Sequence, residues 1–318
     1  MKKYLMLAAA LALAAALSGC AFIESIESFI GRSSESQSEH SESETSSAEE
    51  SSEPEDSEWP VTIEGVPIPE QPQSVAVLSP SLYEIMRDMG VASAVTGVGS
   101  YCEAAEGLPA LGTALDPDID AIIALAPQYL LTSAAPPEQE LTLLQQAGVE
   151  VVVLAPANRL SGLKTLYTNL ALFSSGLTEG AEISEKYWND CMALLEKAAA
   201  KTKTLGEGKT ALYLRFAELT VATADTLEGE LLTKLGFINA AEKYGGWSYP
   251  EEDADELSPD VVIADSAITE DELEKSKLYS GCPAVKDGLV VRTDMEAFER
   301  QGIGMFEALL KAATELCG

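Results

Sequence analysis

The sequence predicts an α/β protein built as two Rossmann-like lobes with parallel-rich sheets, joined by a single long helix. Three observations predict it. Between residues 74 and 154, short apolar strand candidates alternate with amphipathic helical stretches, the pattern of a parallel sheet covered by helices. Residues 162–203 break that rhythm and read as helix throughout. After residue 210 the alternation resumes. The 318 residues suffice for two modest lobes rather than one large core.

Residues 61–73 (VTIEGVPIPEQPQ) read as a short hairpin turning at Glu64-Gly65 and closed by prolines. Residues 74–78 form a strand that ends at Ser79-Pro80, and 82–89 an amphipathic helix stopped by Gly90. Glu84, three residues after Ser81, fits a capping box. Strands follow at 94–98, 129–132 and 149–154, with helices at about 117–125 and 138–147. The helical run is interrupted at Ser174-Ser175-Gly176. From 182 to 202 it lacks Gly and Pro and carries Ile183, Tyr187, Trp188, Met192, Leu194 and Leu195 at helical spacing. The second half offers strands at 210–216, 261–264 and 289–292 and helices at 228–235, 271–277 and 303–316. The expected division is 60–178 for the first lobe, 179–205 for the connecting helix and 206–318 for the second lobe.

The first twenty residues have a different character. Lys2 and Lys3 precede 13 apolar residues at 5–17, too few for the ~20 of a spanning helix. Leu17-Ser18-Gly19-Cys20 closes the stretch, so residues 1–20 read as a secretory signal. This ending resembles that of bacterial lipoproteins. The likeness implies lipidation of Cys20 (palmitate among the acyl chains) and anchorage at the outer face of the cell membrane. Residues 33–58 are almost all Ser and Glu, and segment 21–59 reads as a disordered tether. A coil of 26 residues reaches roughly 28 Å.

Charge excludes further classes. Twenty Lys plus Arg oppose 52 Asp plus Glu, a net of −32, so nucleic acid would be repelled. Residues 21–60 hold 12 acids and one base and residues 1–20 hold two bases, which leaves residues 61–318 at −23. The single histidine, His40, sits in the Ser/Glu stretch and cannot serve a His-based catalyst or a multi-His metal site. No Gly-x-Ser-x-Gly or phosphate loop occurs, so no enzyme is expected, and a surface hydrolase or a structural lipoprotein is the remote alternative. Cys102, Cys191, Cys282 and Cys317 lack metal-ligand spacing, and their pairing is left open by the sequence.

One feature occurs in both halves. Asp120 stands seven residues before Pro127, and Glu252 seven before Pro259. In each half a proline opens a short acidic-headed helix ahead of a strand. Acids there also satisfy free helix N–H groups, and counting from the opening prolines would pair Asp118 with Glu251 instead.

This layout resembles the ABC-transporter substrate-binding lipoproteins whose two lobes are joined by one long helix, the cobalamin- and ferric-siderophore-binding family, and is closest to its cobalamin-binding members. The resemblance runs from about residue 60 to 318. It is carried by residues 79–84 (SPSLYE), 97–102 (GVGSYC), 119–127, 257–263 and Phe298-Glu299-Arg300. It implies a ligand cleft between the lobes, where loops converge at the C-terminal strand ends. Tyr101, Phe216 and Trp247 match cleft aromatics, and Arg300 matches a ligand-contacting arginine. Asp294, as partner of Arg300 or of ligand, and Arg215 are further candidates. Two cleft tryptophans of the relatives fall on Ala114 and Ser133, and of their disulfide only Cys317 is matched, the other position falling near Leu235-Gly236. The resemblance also implies that Asp120 and Glu252 meet arginines of an ABC permease dimer, which works with ATPase subunits. The ligand implied is a corrinoid or, close behind, a ferric siderophore. Haem ranks lower because no histidine is available to it, and bare metal ions are disfavoured.

Overall fold

The computed structural model describes residues 57–103, 105–215 and 219–318. Cys20 and the rest of the leader, the Ser/Glu stretch up to residue 56 with His40, and Phe216 lie outside the described residues.

The first lobe opens with β1 (Val61–Ile63) and β2 (Val66–Ile68), an antiparallel hairpin. Its two turn residues, Glu64 (φ 47°) and Gly65 (φ 82°), have the positive φ that a two-residue turn requires. There follow β3 (Val75–Val77), α1 (Pro80–Asp88), β4 (Val95–Val98), α2 (Ile119–Leu125), β5 (Tyr129–Thr132), α3 (Glu138–Gln146) and β6 (Glu150–Val153). The four strands pair in parallel in the order β4-β3-β5-β6. Successive residues face opposite sides of the sheet. Val75, Val77, Tyr129 and Leu131 enter one core, and Ala76, Leu78 and Leu130 the other. Both faces are covered, so the strands read as unbroken apolar runs.

The capping box is a correction. The α1 helix begins earlier than expected, with Pro80 in its first turn and Ser79 rather than Ser81 as N-cap. Ser79 Oγ accepts from the Leu82 amide, whereas Ser81 Oγ donates to the Arg300 carbonyl at 2.6 Å. Glu84 is thereby released from capping and faces the second lobe.

Two helices then follow in series, α4 (Leu160–Ser175) and α5 (Leu177–Gly206). Gly176, at φ 82°, separates them where the break was expected. The buried stripe of α5 is Gly180, Ser184, Tyr187, Cys191, Leu195, Ala198, Thr202 and Gly206, so its seam uses smaller residues than the apolar pattern suggested. Ile183, Trp188, Met192 and Leu194 flank it and are half-buried. Close approach is the reason: a Cβ on Gly180 would stand 2.7 Å from the Ala171 carbonyl oxygen.

The second lobe comprises β7 (Thr210–Leu214), α6 (Leu227–Lys234), β8 (Ile238–Asn239), a 3-10 turn (Glu251–Glu256), β9 (Val261–Asp265), α7 (Glu270–Lys275), α8 (Pro283–Lys286), β10 (Val290–Thr293), α9 (Met295–Arg300) and α10 (Ile303–Cys317). Its parallel sheet runs β10-β9-β7-β8. Ala211, Tyr213, Val261 and Ile263 join the core shared with α4, α5 and the first lobe, while Leu212, Leu214, Val262 and Ala264 form a separate core on the far face. One apolar core therefore spans both sheets.

The repeated acidic feature survives in position but not in form. Pro117 lies outside α2, whose N-cap is Asp118, with its carboxylate accepting from the Ala121 amide at 3.0 Å. Pro250 opens the 3-10 turn rather than an α-helix. Asp120 and Glu252 are both exposed in the first turn of their elements. Cys102, Cys191, Cys282 and Cys317 are all free thiols. Among the described residues no helix is long and apolar enough to cross a membrane.

Candidate functional site

Loops that follow the C-terminal ends of strands from both sheets converge on one space. Ser79 and Ser81 follow β3, Tyr101 follows β4, Ser133 follows β5 and Pro156 follows β6. Asp265 closes β9, and Asp294 follows β10. With Arg300 and its helix these residues line a cavity of about 590 Å³. A second cavity of about 370 Å³ adjoins it, sharing Pro156 and Glu299 as walls and bringing Arg215 and Trp247 together. The larger volume lies within the ~300–1,000 Å³ usual for small-molecule sites.

Five of the six expected ligand residues thus line one cleft. Tyr101 is 70% exposed at its rim. Trp247 sits at φ 59°, its ring 6.2 Å from Tyr213 and 5.2 Å from the Arg215 guanidinium. Asp294 accepts from the Glu296 amide at 2.9 Å and caps α9, so it does not pair with Arg300. Ser133 lines the cavity wall.

Arg300 does not offer an open charge at the mouth. Its side chain is only 12% exposed. It pairs with Glu296 on its own helix, reaches Glu84 of the first lobe at 4.0 Å and donates to the Tyr101 carbonyl at 3.4 Å. Arg215 pairs with Glu299. Burial, reinforced by Asp88, lifts the Glu84 carboxyl above its ordinary value, and Arg300 opposes the shift.

Residues 75–297 match the family model of the periplasmic binding protein, well over half of the chain. The chain belongs to the periplasmic binding protein family. No curated protein matches the sequence. Solved structures do resemble this periplasmic binding protein. A possible iron-binding protein of Staphylococcus epidermidis has TM-score 0.65 and 16% identity, covering 78% of this chain and 100% of the other. The haem-binding protein RhuT of Roseiflexus sp. RS-1 has TM-score 0.62 and 20% identity over 78% and 100%. The vitamin B12-binding protein BtuF of Vibrio cholerae has TM-score 0.60 and 17% identity over 77% and 96%. At these identities the likeness concerns the fold. Members of the family are extracytoplasmic solute-binding proteins rather than enzymes, and they serve ABC permeases.

The structure of this periplasmic binding protein adds cavity-lining residues that sequence reasoning missed. Asp265 stands at the end of β9, a position legible from strand polarity alone. The short α9 carries Glu296 and Glu299 into the cleft, but its six residues are too few for a periodic signal. Glu228 follows the Thr226 cap of α6 and would pass for an ordinary first-turn acid, yet it is 8% exposed and lines the smaller cavity. Burial pushes its carboxyl up to about 7, against the pull of its own backbone amide and of Arg215. Gln301, at φ 55°, clamps Ala157 across the lobes: its Nε2 donates to the carbonyl at 2.7 Å and its Oε1 accepts from the amide at 2.9 Å.

Proposed function

We propose that this periplasmic binding protein is a lipid-anchored receptor on the outer face of the cell membrane that captures a metal chelate and hands it to an ABC permease dimer with its ATPase subunits. A corrinoid is the leading ligand and a ferric siderophore the alternative. The observation that carries the reading is the cleft itself: strand ends from both sheets present Tyr101, Asp294 and Arg300 around one cavity of about 590 Å³, with Arg215 and Trp247 next door. A possible iron-binding protein and haem- and vitamin B12-binding proteins among the structural neighbours support a chelate as the guest class. Haem is the weaker alternative, because the only histidine, His40, lies in the Ser/Glu stretch. The anchor is Cys20, and residues 21–59 serve as the tether.

Titration of the purified full chain with a corrinoid and with ferric chelates, followed by tryptophan fluorescence, tests the reading. Quenching of Trp247 at micromolar concentrations or below is expected. Silence from every member of both ligand classes would sink it.

The exposed Asp120 and Glu252, one on each lobe, are the proposed contacts for permease arginines. The double substitution Asp120→Arg with Glu252→Arg is expected to lower uptake into cells severalfold while leaving chelate binding in solution intact. Lost binding instead would place these acids in the cleft.

A further inference from the structure

Resting on the receptor reading, we infer that the cleft selects a guest of net positive charge and rejects anionic chelates of similar size. Among the described residues five carboxylates line the two cavities, Asp225, Asp265, Asp294, Glu296 and Glu299, and beside them stands Glu228, whose buried carboxyl holds its proton more tightly. Among the described residues the only cations in those walls are Arg215 and Arg300. Both are already engaged by carboxylates, Arg215 by Glu299 and Arg300 by Glu296 with Glu84 behind it. An anionic guest would find no guanidinium without displacing one of these pairs. Asp225, Asp265 and Asp294, by contrast, take part in none of the ion pairs among the described residues.

Each of the three accepts local hydrogen bonds. Asp225 accepts from Thr223 Oγ1 at 2.6 Å and from the Gly246 amide at 3.0 Å, which keeps its carboxyl below the ordinary range. Asp265 accepts from the Ala267 amide at 2.8 Å, and Asp294 from the Glu296 amide. A second observation concerns a buried tyrosine. The Tyr213 hydroxyl belongs to a residue 2% exposed and has no hydrogen-bond partner among the described residues, and its ring packs on Phe298 and on Trp247, a wall residue of the smaller cavity. It adds a polar oxygen, not a positive charge. A cleft with low-dielectric walls and one sign of charge focuses its field on whatever enters.

The test uses the full chain and one ferric trihydroxamate core in three forms: a terminal ammonium, its neutral N-acetyl derivative and its anionic N-succinyl derivative. Cobinamide with two water ligands, against cobinamide with two cyanides, repeats the charge contrast on a corrin. The cation is expected to bind best, with affinity falling on the order of three- to tenfold for each unit of charge removed. Raising the salt from about 20 mM to about 500 mM should narrow the spread. Asp265→Asn with Asp294→Asn, which preserves the hydrogen-bond acceptors and the helix cap, should shrink the ratio of cation to anion affinity. Equal or reversed affinities within a series that does bind would overturn the charge inference and leave the receptor standing. Failure of every probe in both series to bind would overturn the receptor reading, and this inference with it.

Discussion

Replacing Glu228 with glutamine is expected to stabilise the protein at pH 8 and to leave it nearly unchanged at pH 4.5. Burial favours the neutral carboxyl, so the folded state keeps its proton up to about 7, whereas the unfolded chain releases it near the usual 4.5. Between those values the native state binds more protons than the unfolded one, and stability falls as the pH rises. The loss is complete above about pH 7, and its ceiling is about 3 kcal/mol. Glutamine has no proton to lose and escapes the loss. Thermal or denaturant unfolding of both proteins at pH 4.5, 6 and 8 checks this. A gap that stays constant across the three would mean that Glu228 is ionised in the folded state and paired by Arg215 more fully than its burial allows. The same carboxyl stands in the cleft wall, so a positively charged guest would draw its proton away and relieve part of the penalty.

Gln301→Ala is expected to destabilise the protein by about 1–3 kcal/mol, because it orphans two backbone groups at once. The side chain is 6% exposed and satisfies both the amide and the carbonyl of Ala157, a residue 144 positions earlier. The Gln301 carbonyl in turn accepts from the Tyr167 hydroxyl, and the next helix begins with Ile303, whose amide donates to Tyr187 Oη at 2.8 Å. This joint ties the loop after β6 to the turn between α9 and α10, so it sets the spacing of the cleft walls. Asparagine at 301 tolerates the positive φ but is one methylene short, and it should recover little of the loss. A denaturation midpoint for Gln301→Ala within about 0.5 kcal/mol of the parent would show that water replaces the clamp without penalty.

Much of the site was legible because a parallel sheet presents its loops at one end. Tyr101, Arg215 and Asp294 each follow a strand whose apolar run is plain in the sequence, and strand polarity alone brings them together. Arg300 was expected in the cleft from the family resemblance and lines the larger cavity, but its pairing was not foreseen. Its partner Glu84 lies 216 positions away and already fitted a local capping role beside Ser81, so a near explanation concealed the distant one. Glu228 was passed over for a similar reason, since an acid in a first helical turn needs no further account. Phe216, expected beside Arg215, lies outside the described residues.

The amino-acid order alone determined the alternation of strands and helices, the break at Gly176, the long α5 and the excess of acid in residues 61–318. These follow from hydrophobic period, backbone freedom and composition, which act over a few residues or need no geometry. The tertiary structure decided which acids are buried, which arginines are already paired and where small residues let α5 approach its neighbours. Desolvation and ion pairing depend on distances in space, and the chain encodes those only through the packing of residues far apart along it.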